Sequence, residues 1–291
     1  MQLFELRGKR QTSDQAFKWL AIAAAAIVLV VLGLIAIVMT QRALPVLERM
    51  GGEFFTSKRW SAADGLYGAL PFIFGTLYTA AIAVALAVPV SLGVALFITQ
   101  VAPPRLKRPM IYLVDLLAVV PSVVFGLWGV LVLSGHFGLG RSFLTAGIIL
   151  GIMITPIITS LAREVIETTP TTDKEAALAL GATRWEMIRA SVLPHSKGGL
   201  VGAVMLGLGR AMGETIAAAL VIGSSLGQVT LNAFASGNSM PAVIANEWGE
   251  ADGLHKSALI ALAITLFVIT IIVNLVATGI VQRSMKRSRG S

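Results

Sequence analysis

The chain has 291 residues, of which 56% are hydrophobic and only 13% are charged. Soluble proteins average roughly 45–50% apolar and about 25% charged residues, so these values argue against a soluble enzyme and exclude a disordered chain. No cysteine is present, which excludes disulfides, thiol catalysis and cysteine-based zinc sites. The composition predicts an integral membrane protein. In such a protein the first question about the formal charge of +8 is which loops carry the basic residues, because those loops show the orientation in the membrane.

Six apolar runs are long enough to cross a bilayer, whose hydrocarbon core of about 30 Å requires roughly 20 apolar helical residues. The first run follows basic residues, as a secretory signal would, but it is longer than a signal's apolar region and ends without a small-residue cleavage pattern. We therefore predict an all-α, polytopic protein with six transmembrane helices. Their approximate limits are residues 17–40, 71–99, 110–133, 143–161, 198–223 and 257–281.

Lysine and arginine are distributed unequally between the two ends of these spans. With an even number of spans both termini share one side, and that side carries 16 of the 23 basic residues. Basic loops stay in the cytoplasm, so both termini are predicted to be cytoplasmic, and the basic excess requires no nucleic acid as a partner. The predicted division is a tail 1–16, a six-span domain 17–281, a basic tail 282–291, extracytoplasmic loops 41–70 and 224–256, and a cytoplasmic loop 162–197.

The cytoplasmic loop carries local signals for two short helices. Thr172 with Glu175, and Thr183 with Glu186, each have the spacing of a capping box. In this motif each of the two side chains accepts a hydrogen bond from the backbone N–H of the other residue at the start of a helix. Gly181 stands where the first helix must end. The loop is therefore predicted to form two short helices with a bend between them.

The surface of the first short helix is small and apolar, because it carries Ala176, Ala177 and Leu180. Such a surface is suited to docking into a groove on another protein. The second short helix is predicted to stop at Leu193 and Pro194, since proline ends many helices.

The residues of this loop resemble a known signature. Glu175-Ala176-Ala177, then Gly181, then Leu193-Pro194 is similar to the EAA loop of ABC importer permeases, although Ser191 stands where that family usually has isoleucine. Three further segments are similar to the phosphate ABC permeases of the PstC type. They are PSVVFGLWG at 121–129, GLGRAMGET at 207–215 and MPAVIA at 240–245. With the six spans, the resemblance covers nearly the whole chain.

This resemblance implies an ABC importer type I permease fold in the cell inner membrane. It implies four kinds of partner, namely a homologous second permease, two ATPase subunits, an extracytoplasmic phosphate-binding protein and the membrane lipid, with phosphate as the substrate. Coupling to the ATPase would lie at Glu175, Ala176, Ala177, Leu180 and Gly181. The chain contains no P-loop sequence, so we expect a non-catalytic subunit without a cofactor, and ATP and Mg bound by the ATPase.

Arg210 and Glu214 are two charged residues within the fifth predicted span. Their spacing would place them on one helical face near the middle of the bilayer. An arginine at that depth costs about 2.5–3.5 kcal/mol on insertion scales, so a partner or a function must offset it. One interpretation is a structural ion pair; the other is anion handling, since a guanidinium fits phosphate oxygens. The resemblance favours the second, because that family counts such residues as translocation residues.

Weaker candidates for the translocation pathway are hydroxyl groups in the spans. Ser122, Thr155, Thr159 and Thr215 could donate to an anion, although hydroxyls in membrane helices commonly bond to their own backbone. Asp115, the other acid in the apolar runs, is expected to have a structural role at the interface.

Two further features of the sequence bear on the pathway and on metal binding. Prolines in the second, third and fourth spans are expected to break those helices, at positions 89, 121 and 156. The three histidines lie in separate loops without a second ligand at metal spacing, so no metal site is predicted.

Two alternatives to a phosphate permease stay open from the residues alone. One is an ABC permease for another oxyanion, such as sulfate or molybdate. The other is an ion-driven anion transporter or channel that uses Arg210 for selectivity. The coupling loop argues against the second alternative, because a channel does not need it.

Overall fold

The structure is a computed structural model that describes the backbone of residues 5–289 and the side chains of residues 14–279. The predictions about the N-terminal tail 1–16 and the C-terminal tail 282–291 fall largely outside the described side chains.

The described chain is helical apart from one short hairpin, whose strands β1 (Trp60–Ser61) and β2 (Leu66–Tyr67) pair antiparallel. The α-helices, in chain order, are α1 Glu5–Met50, α2 Glu53–Thr56, α3 Leu70–Leu96, α4 Pro104–Val119, α5 Ser122–Trp128, α6 Phe143–Glu167, α7 Thr171–Ala179, α8 Arg184–Met187, α9 Leu193–Gly213, α10 Ile216–Val221, α11 Met240–Glu247 and α12 Gly253–Arg289. Helices α3, α5 and α8 continue as π-helix over Phe97–Val101, Gly129–His136 and Ile188–Val192.

Four helices of the described chain are long and apolar enough to cross a membrane, and they lie in α1, α3, α6 and α12. A fifth span is counted if α4 and α5 with its continuation form one broken span, since the two pieces meet at 89°. The prediction of an all-helical membrane protein is confirmed. Of the six predicted runs, the third corresponds to this broken pair, and the fifth, which forms α9 and α10, is not among the described helices that are long and apolar enough to be counted.

The third run is broken at Pro121, as expected. Val120 and Pro121 have extended backbone, with ψ of 127° and 139°, because a proline disfavours helical conformation in the residue before it. Pro89 and Pro156, by contrast, lie inside the continuous helices α3 and α6. The expectation that they break their helices is wrong, because neighbouring helices in a bundle can support a proline within a span.

The fifth run is interrupted near its outer end. Helix α9 stops at Gly213, Glu214 is extended with ψ of 125°, and α10 begins at Ile216. The same helix begins at Leu193, because Pro194 occupies the first turn, where a proline needs no hydrogen-bond partner. The predicted helix stop at residues 193 and 194 is therefore wrong, and the predicted coupling segment, residues 171–192, runs directly into α9.

Two loops are shorter in the structure than predicted, because the helices that precede them extend further along the chain. Helix α1 continues to Met50 and narrows the loop predicted at 41–70, while α6 continues to Glu167 and narrows the loop predicted at 162–197. The short helix α11 has Pro241 in its first turn and a hydrogen bond from Ala242 N to the Ser239 side chain.

The centre of the bundle is formed by α3, α6 and α9, which approach closely at glycines. A side chain on Gly147 or Gly151 of α6 would meet α3, and one on Gly207 of α9 would meet Ile158 of α6. Small residues at such contacts let membrane helices pack backbone to backbone. Gly199 likewise lies against Val165, so α9 runs antiparallel to α6.

Polar contacts tie together the loops at each end of the bundle. At one end the Trp60 indole N–H donates to Glu247 Oε2 at 2.8 Å, and His255 Nε2 lies 2.8 Å from the same oxygen. At the other end Lys107 Nζ lies 3.0 Å from Glu167 Oε1. The hairpin and α11 therefore share one end, and the start of α4 shares the opposite end with the α7–α8 segment.

Candidate functional site

Arg210 and Glu214 line an open cavity of about 780 Å³ between α9 and α12. The other residues that line it are Ile157 of α6, Gly202, Met205, Leu206, Gly209 and Gly213 of α9, and Asn274 and Thr278 of α12. The structure therefore brings the two charged residues of the fifth run to one site.

Glycines on one face of α9 keep this cavity open. Gly202, Gly209 and Gly213 have open space where a side chain would lie, and all three line the cavity. Gly207 instead faces Ile158 and admits the neighbouring helix. The glycines of α9 therefore serve two faces, one packed against α6 and the other lining the cavity.

Arg210 lies close to the middle of the bundle. Gly207 packs against Ile158, which is near the centre of the 25-residue helix α6, and Arg210 is one turn further along α9. Its side chain is exposed to the cavity and has no hydrogen bond or ion pair among the residues whose side chains are described. The guanidinium thus has no partner among the described side chains, at a position beside the middle of the spanning helix α6.

Glu214 does not form an ion pair with Arg210 within the described residues. The predicted positions on one helical face are wrong, because α9 ends at Gly213 and the backbone of Glu214 is extended. Its Oε1 instead accepts a hydrogen bond from Ala217 N at 3.4 Å, at the start of α10. The two charges share a cavity without neutralising each other directly.

Ser122 and Thr215 stand at the starts of two short helices that pack together. Ser122 is the first residue of α5, Thr215 precedes α10, and Gly126 of α5 lies against Ala217 of α10. The Thr215 hydroxyl donates to Gly213 O at 3.4 Å. Neither residue is among those that line the cavity.

The remaining candidates from the sequence lie away from this cavity. Thr155 and Thr159 line a separate, apolar cavity of about 420 Å³ between α3, α4 and α6. The Thr155 hydroxyl donates to Gly151 O at 2.8 Å, as membrane hydroxyls commonly do. Asp115 lies on α4 and is exposed.

Asn274 and Thr278 also line the cavity, and neither was predicted from the sequence. They lie four residues apart on α12, hence on one face, and that face lines the cavity. An amide inside an otherwise apolar span is itself a signal of function. This signal was available in the sequence, but the partner helix that faces it was not.

The second short helix of the coupling segment begins with the predicted capping box. Glu186 N donates to Thr183 Oγ1 at 3.3 Å, and Thr183 N donates to Glu186 Oε2 at 2.8 Å. The Thr183 N–H, and to a smaller extent the Thr183 hydroxyl, which donates to the same Oε2 at 2.8 Å, lower the pKa of the Glu186 carboxyl. The capping box predicted at Thr172 and Glu175 is wrong, because α7 begins at Thr171, directly after Pro170 and two residues earlier than that box requires.

The bend between the two short helices is confirmed at Gly181. Its φ of +85° is in the left-handed region, which glycine adopts without steric cost. Next to it the Leu180 side chain is 90% exposed, and Trp185, which the sequence analysis did not single out, is 61% exposed. The bend therefore presents two large apolar side chains to the surroundings.

The residues of the predicted coupling surface do not all face outward. Glu175 and Ala176 are exposed, as expected. Ala177 instead packs against the buried cluster that contains Ile188 and Val192. The expectation that it belongs to the exposed surface is wrong, because that side of α7 anchors the helix to the bundle.

Solved structures with the same fold include chains of ABC transporters. The chain superposes on a chain of the inward-facing MetNI methionine ABC transporter with a TM-score of 0.62 at 17% identity, covering 78% of this chain and 99% of that one. A chain of the bacterial alginate ABC transporter, in complex with a periplasmic protein bound to an alginate pentasaccharide, gives 0.65 at 15% identity, covering 94% and 98%.

The sequence relatives identify the family of this chain more narrowly than the fold does. The binding-protein-dependent transport system inner membrane component family matches residues 87–286. The phosphate transport system permease protein PstC of Xylella fastidiosa (strain Temecula1) is 40% identical over 99% of this chain and 95% of its own length. The PstC of Haemophilus influenzae is 40% identical over 84% and 85%. The chain therefore belongs to the binding-protein-dependent transport system inner membrane components and, within them, to the PstC phosphate transport permeases.

Proposed function

We propose that this permease carries phosphate along the cavity between α9 and α12, with Arg210 as the residue that binds the anion. The observation that carries the proposal is the guanidinium of Arg210, which has no partner among the described side chains and faces an open cavity near the middle of the bundle. As an ABC permease, the chain works with an ATPase and a binding protein, and it is a multi-pass protein of the inner membrane.

The chemistry of arginine supports this role. A guanidinium at this depth is costly unless it is paired, and the cavity offers it no direct partner among the described side chains. Its planar fork donates two parallel hydrogen bonds to phosphate oxygens. Unlike lysine, arginine cannot escape burial by losing its proton. A passing anion would therefore supply the missing partner.

Glu214 is proposed to compete with the anion for Arg210. In this structure the two side chains share the cavity without an ion pair, so the guanidinium is available. A change in the backbone conformation of Glu214, which is extended here, would let its carboxylate approach Arg210 and help to release phosphate. Ser122 and Thr215, at the starts of α5 and α10, are proposed as weaker neutral donors to the same pathway.

A homologous second permease is proposed to complete the pathway. The cavity is open toward the surface of this chain, and one permease does not enclose it. Two ATPase subunits are proposed to serve the pair of permeases. On this chain the docking surface would comprise Glu175, Ala176, Leu180, Gly181 and Trp185, which are exposed around the bend of the coupling segment.

The termini are proposed to be cytoplasmic, with the domain limits of the sequence analysis adjusted to the observed helix ends. Two observations support this orientation. The more basic loops, around residues 105–108 and in the coupling segment, lie together at one end of the bundle. The less basic hairpin and α11 lie at the other end.

Single cysteines test this orientation, and the native chain contains none to interfere. Lys58→Cys and Glu250→Cys are expected to react with a membrane-impermeant thiol reagent in intact cells. Arg108→Cys and Arg184→Cys are expected to react only after the membrane is opened. All four positions are exposed, so access to the side chain is not limiting. Labelling of position 58 only from the cytoplasm would overturn the orientation.

Phosphate uptake in cells lacking their own phosphate permease tests the proposed substrate. Expressed with its partner subunits, the chain is expected to restore uptake of labelled phosphate, and an excess of sulfate or molybdate is expected not to compete. Restored uptake of labelled sulfate or molybdate with no uptake of phosphate would assign the permease to another oxyanion. Phosphate uptake that persists when the ATPase subunit is omitted would favour an ion-driven transporter.

A further inference from the structure

Asn274 presents an amide to the same cavity as Arg210 from the opposite wall. It lies on α12, is partly buried and lines the cavity together with Thr278. Its side chain makes no hydrogen bond to any residue whose side chain is described. Within the described part of the chain, the amide is therefore a polar group without a hydrogen-bond partner inside an apolar helix.

An unpartnered amide in a membrane helix requires a reason. Burying an amide without a hydrogen bond is unfavourable, and membrane proteins usually place asparagine where it bonds to a neighbouring helix. Here the amide faces an open space instead of a neighbouring backbone. Two hydroxyls earlier in α12 behave differently, since Thr265 donates to Ala261 O at 2.7 Å and Thr270 donates to Leu266 O at 2.8 Å.

The wall formed by α9 lacks polar side chains over part of the cavity. From Gly202 to Gly209 it offers only glycine, methionine and leucine, and its charged groups lie at Arg210 and Glu214. The polar groups that complete the lining come from α12, namely Asn274 and Thr278. An anion held by Arg210 would thus meet a charged wall on one side and a neutral polar wall on the other.

We propose that Asn274 is a specificity-determining residue that contacts the anion opposite Arg210, an inference that rests on the proposed function. The amide N–H₂ donates to an oxygen of phosphate, and the amide oxygen accepts from the P–OH group. Phosphate keeps at least one such proton near neutral pH, whereas sulfate has none. The neutral amide therefore suits a protonated oxyanion and adds no charge that would oppose Arg210.

Transport by the complete reconstituted importer tests this role. The assay supplies saturating phosphate-loaded binding protein and measures phosphate transported per ATP hydrolysed, normalised to inserted permease. Asn274→Leu, which keeps the size and removes both hydrogen bonds, is expected to lower this ratio about tenfold, in line with loss of a hydrogen bond to a charged group. Asn274→Asp is expected to lower it further, because its charge repels the anion. Thr270→Val is the matched control and is expected to keep the wild-type ratio.

Two results separate failure of this inference from failure of the proposed function. If Asn274→Leu and Asn274→Asp both keep the wild-type ratio while Arg210→Lys transports poorly, Asn274 does not contact the anion. If Arg210→Lys also transports at the wild-type ratio, the proposed pathway itself is wrong. A purely structural Asn274 would lower the amount of inserted protein and leave the ratio unchanged, which would likewise overturn the inference.

Discussion

Arg210→Lys is expected to lower phosphate uptake by about 10–100-fold, the range that corresponds to loss of a charge-assisted hydrogen bond. Lysine keeps the positive charge but cannot reproduce the planar fork, and its shorter, compact ammonium holds its water more strongly. Uptake of labelled phosphate is measured in cells and divided by the amount of inserted permease. Arg141→Lys is the matched control, because Arg141 is an exposed arginine that does not line the cavity.

Glu214→Gln is measured in the same uptake assay. It separates the proposed role of the carboxylate in releasing phosphate from its local hydrogen bond to Ala217 N. The variant is expected to insert normally, because glutamine keeps an oxygen that can accept from Ala217 N. It is expected to retain phosphate longer, since an amide competes weakly for the guanidinium. Uptake by Arg210→Lys at the level of Arg141→Lys would contradict the assignment of Arg210 to the anion.

Gly181→Pro is expected to abolish coupling to the ATPase while leaving the permease in the membrane. Proline fixes φ near −65°, whereas Gly181 has φ of +85°, so the bend that presents Leu180 and Trp185 cannot form. The measurements are co-purification of the ATPase subunit and the ATP hydrolysis stimulated by phosphate-loaded binding protein. Both are expected to fall at least about tenfold, as for other interface positions that carry binding energy.

Two further variants sharpen the test of the coupling surface. Glu175→Lys reverses an exposed charge on α7 and is expected to weaken co-purification, whereas Glu250→Lys makes the same change at the opposite end of the bundle and is expected to have no effect. Gly181→Ala has open space for its side chain and suffers only backbone strain, so an intermediate loss is expected. Normal co-purification and normal ATP hydrolysis in Gly181→Pro and Glu175→Lys would remove this segment from the mechanism.

The fold could be predicted from hydrophobic run length wherever a run coincides with one continuous helix. The runs in α3, α6 and α12 are of this kind. In the run at 110–133 the proline at 121 predicted the break, but nothing in the sequence predicted that the two pieces would meet at 89°. The run at 198–223 contains the extended residue Glu214, and its glycines and charges leave α9 outside the set of clearly apolar spans.

The site could be predicted in part. Arg210 was recognisable because a charge inside an apolar run needs a reason, and the exposed Leu180 was recognisable from its position beside Gly181. The relation between Arg210 and Glu214 was not predictable, because a four-residue spacing implies one face only if the helix continues. The position of Asn274 in the cavity could not be predicted, since the sequence does not show which face of α12 lies opposite α9.

The most direct test of Arg210 as the anion-binding residue is the charge-swapped pair Arg210→Glu with Glu214→Arg. Labelled phosphate uptake by the double variant is measured in cells and divided by the amount of inserted permease. If Arg210 binds the anion, the swapped pair places a carboxylate at that position, and uptake is expected to stay as low as in Arg210→Glu alone. If the two residues only neutralise each other, the swap restores the pair, and uptake at the wild-type rate would contradict the translocation role.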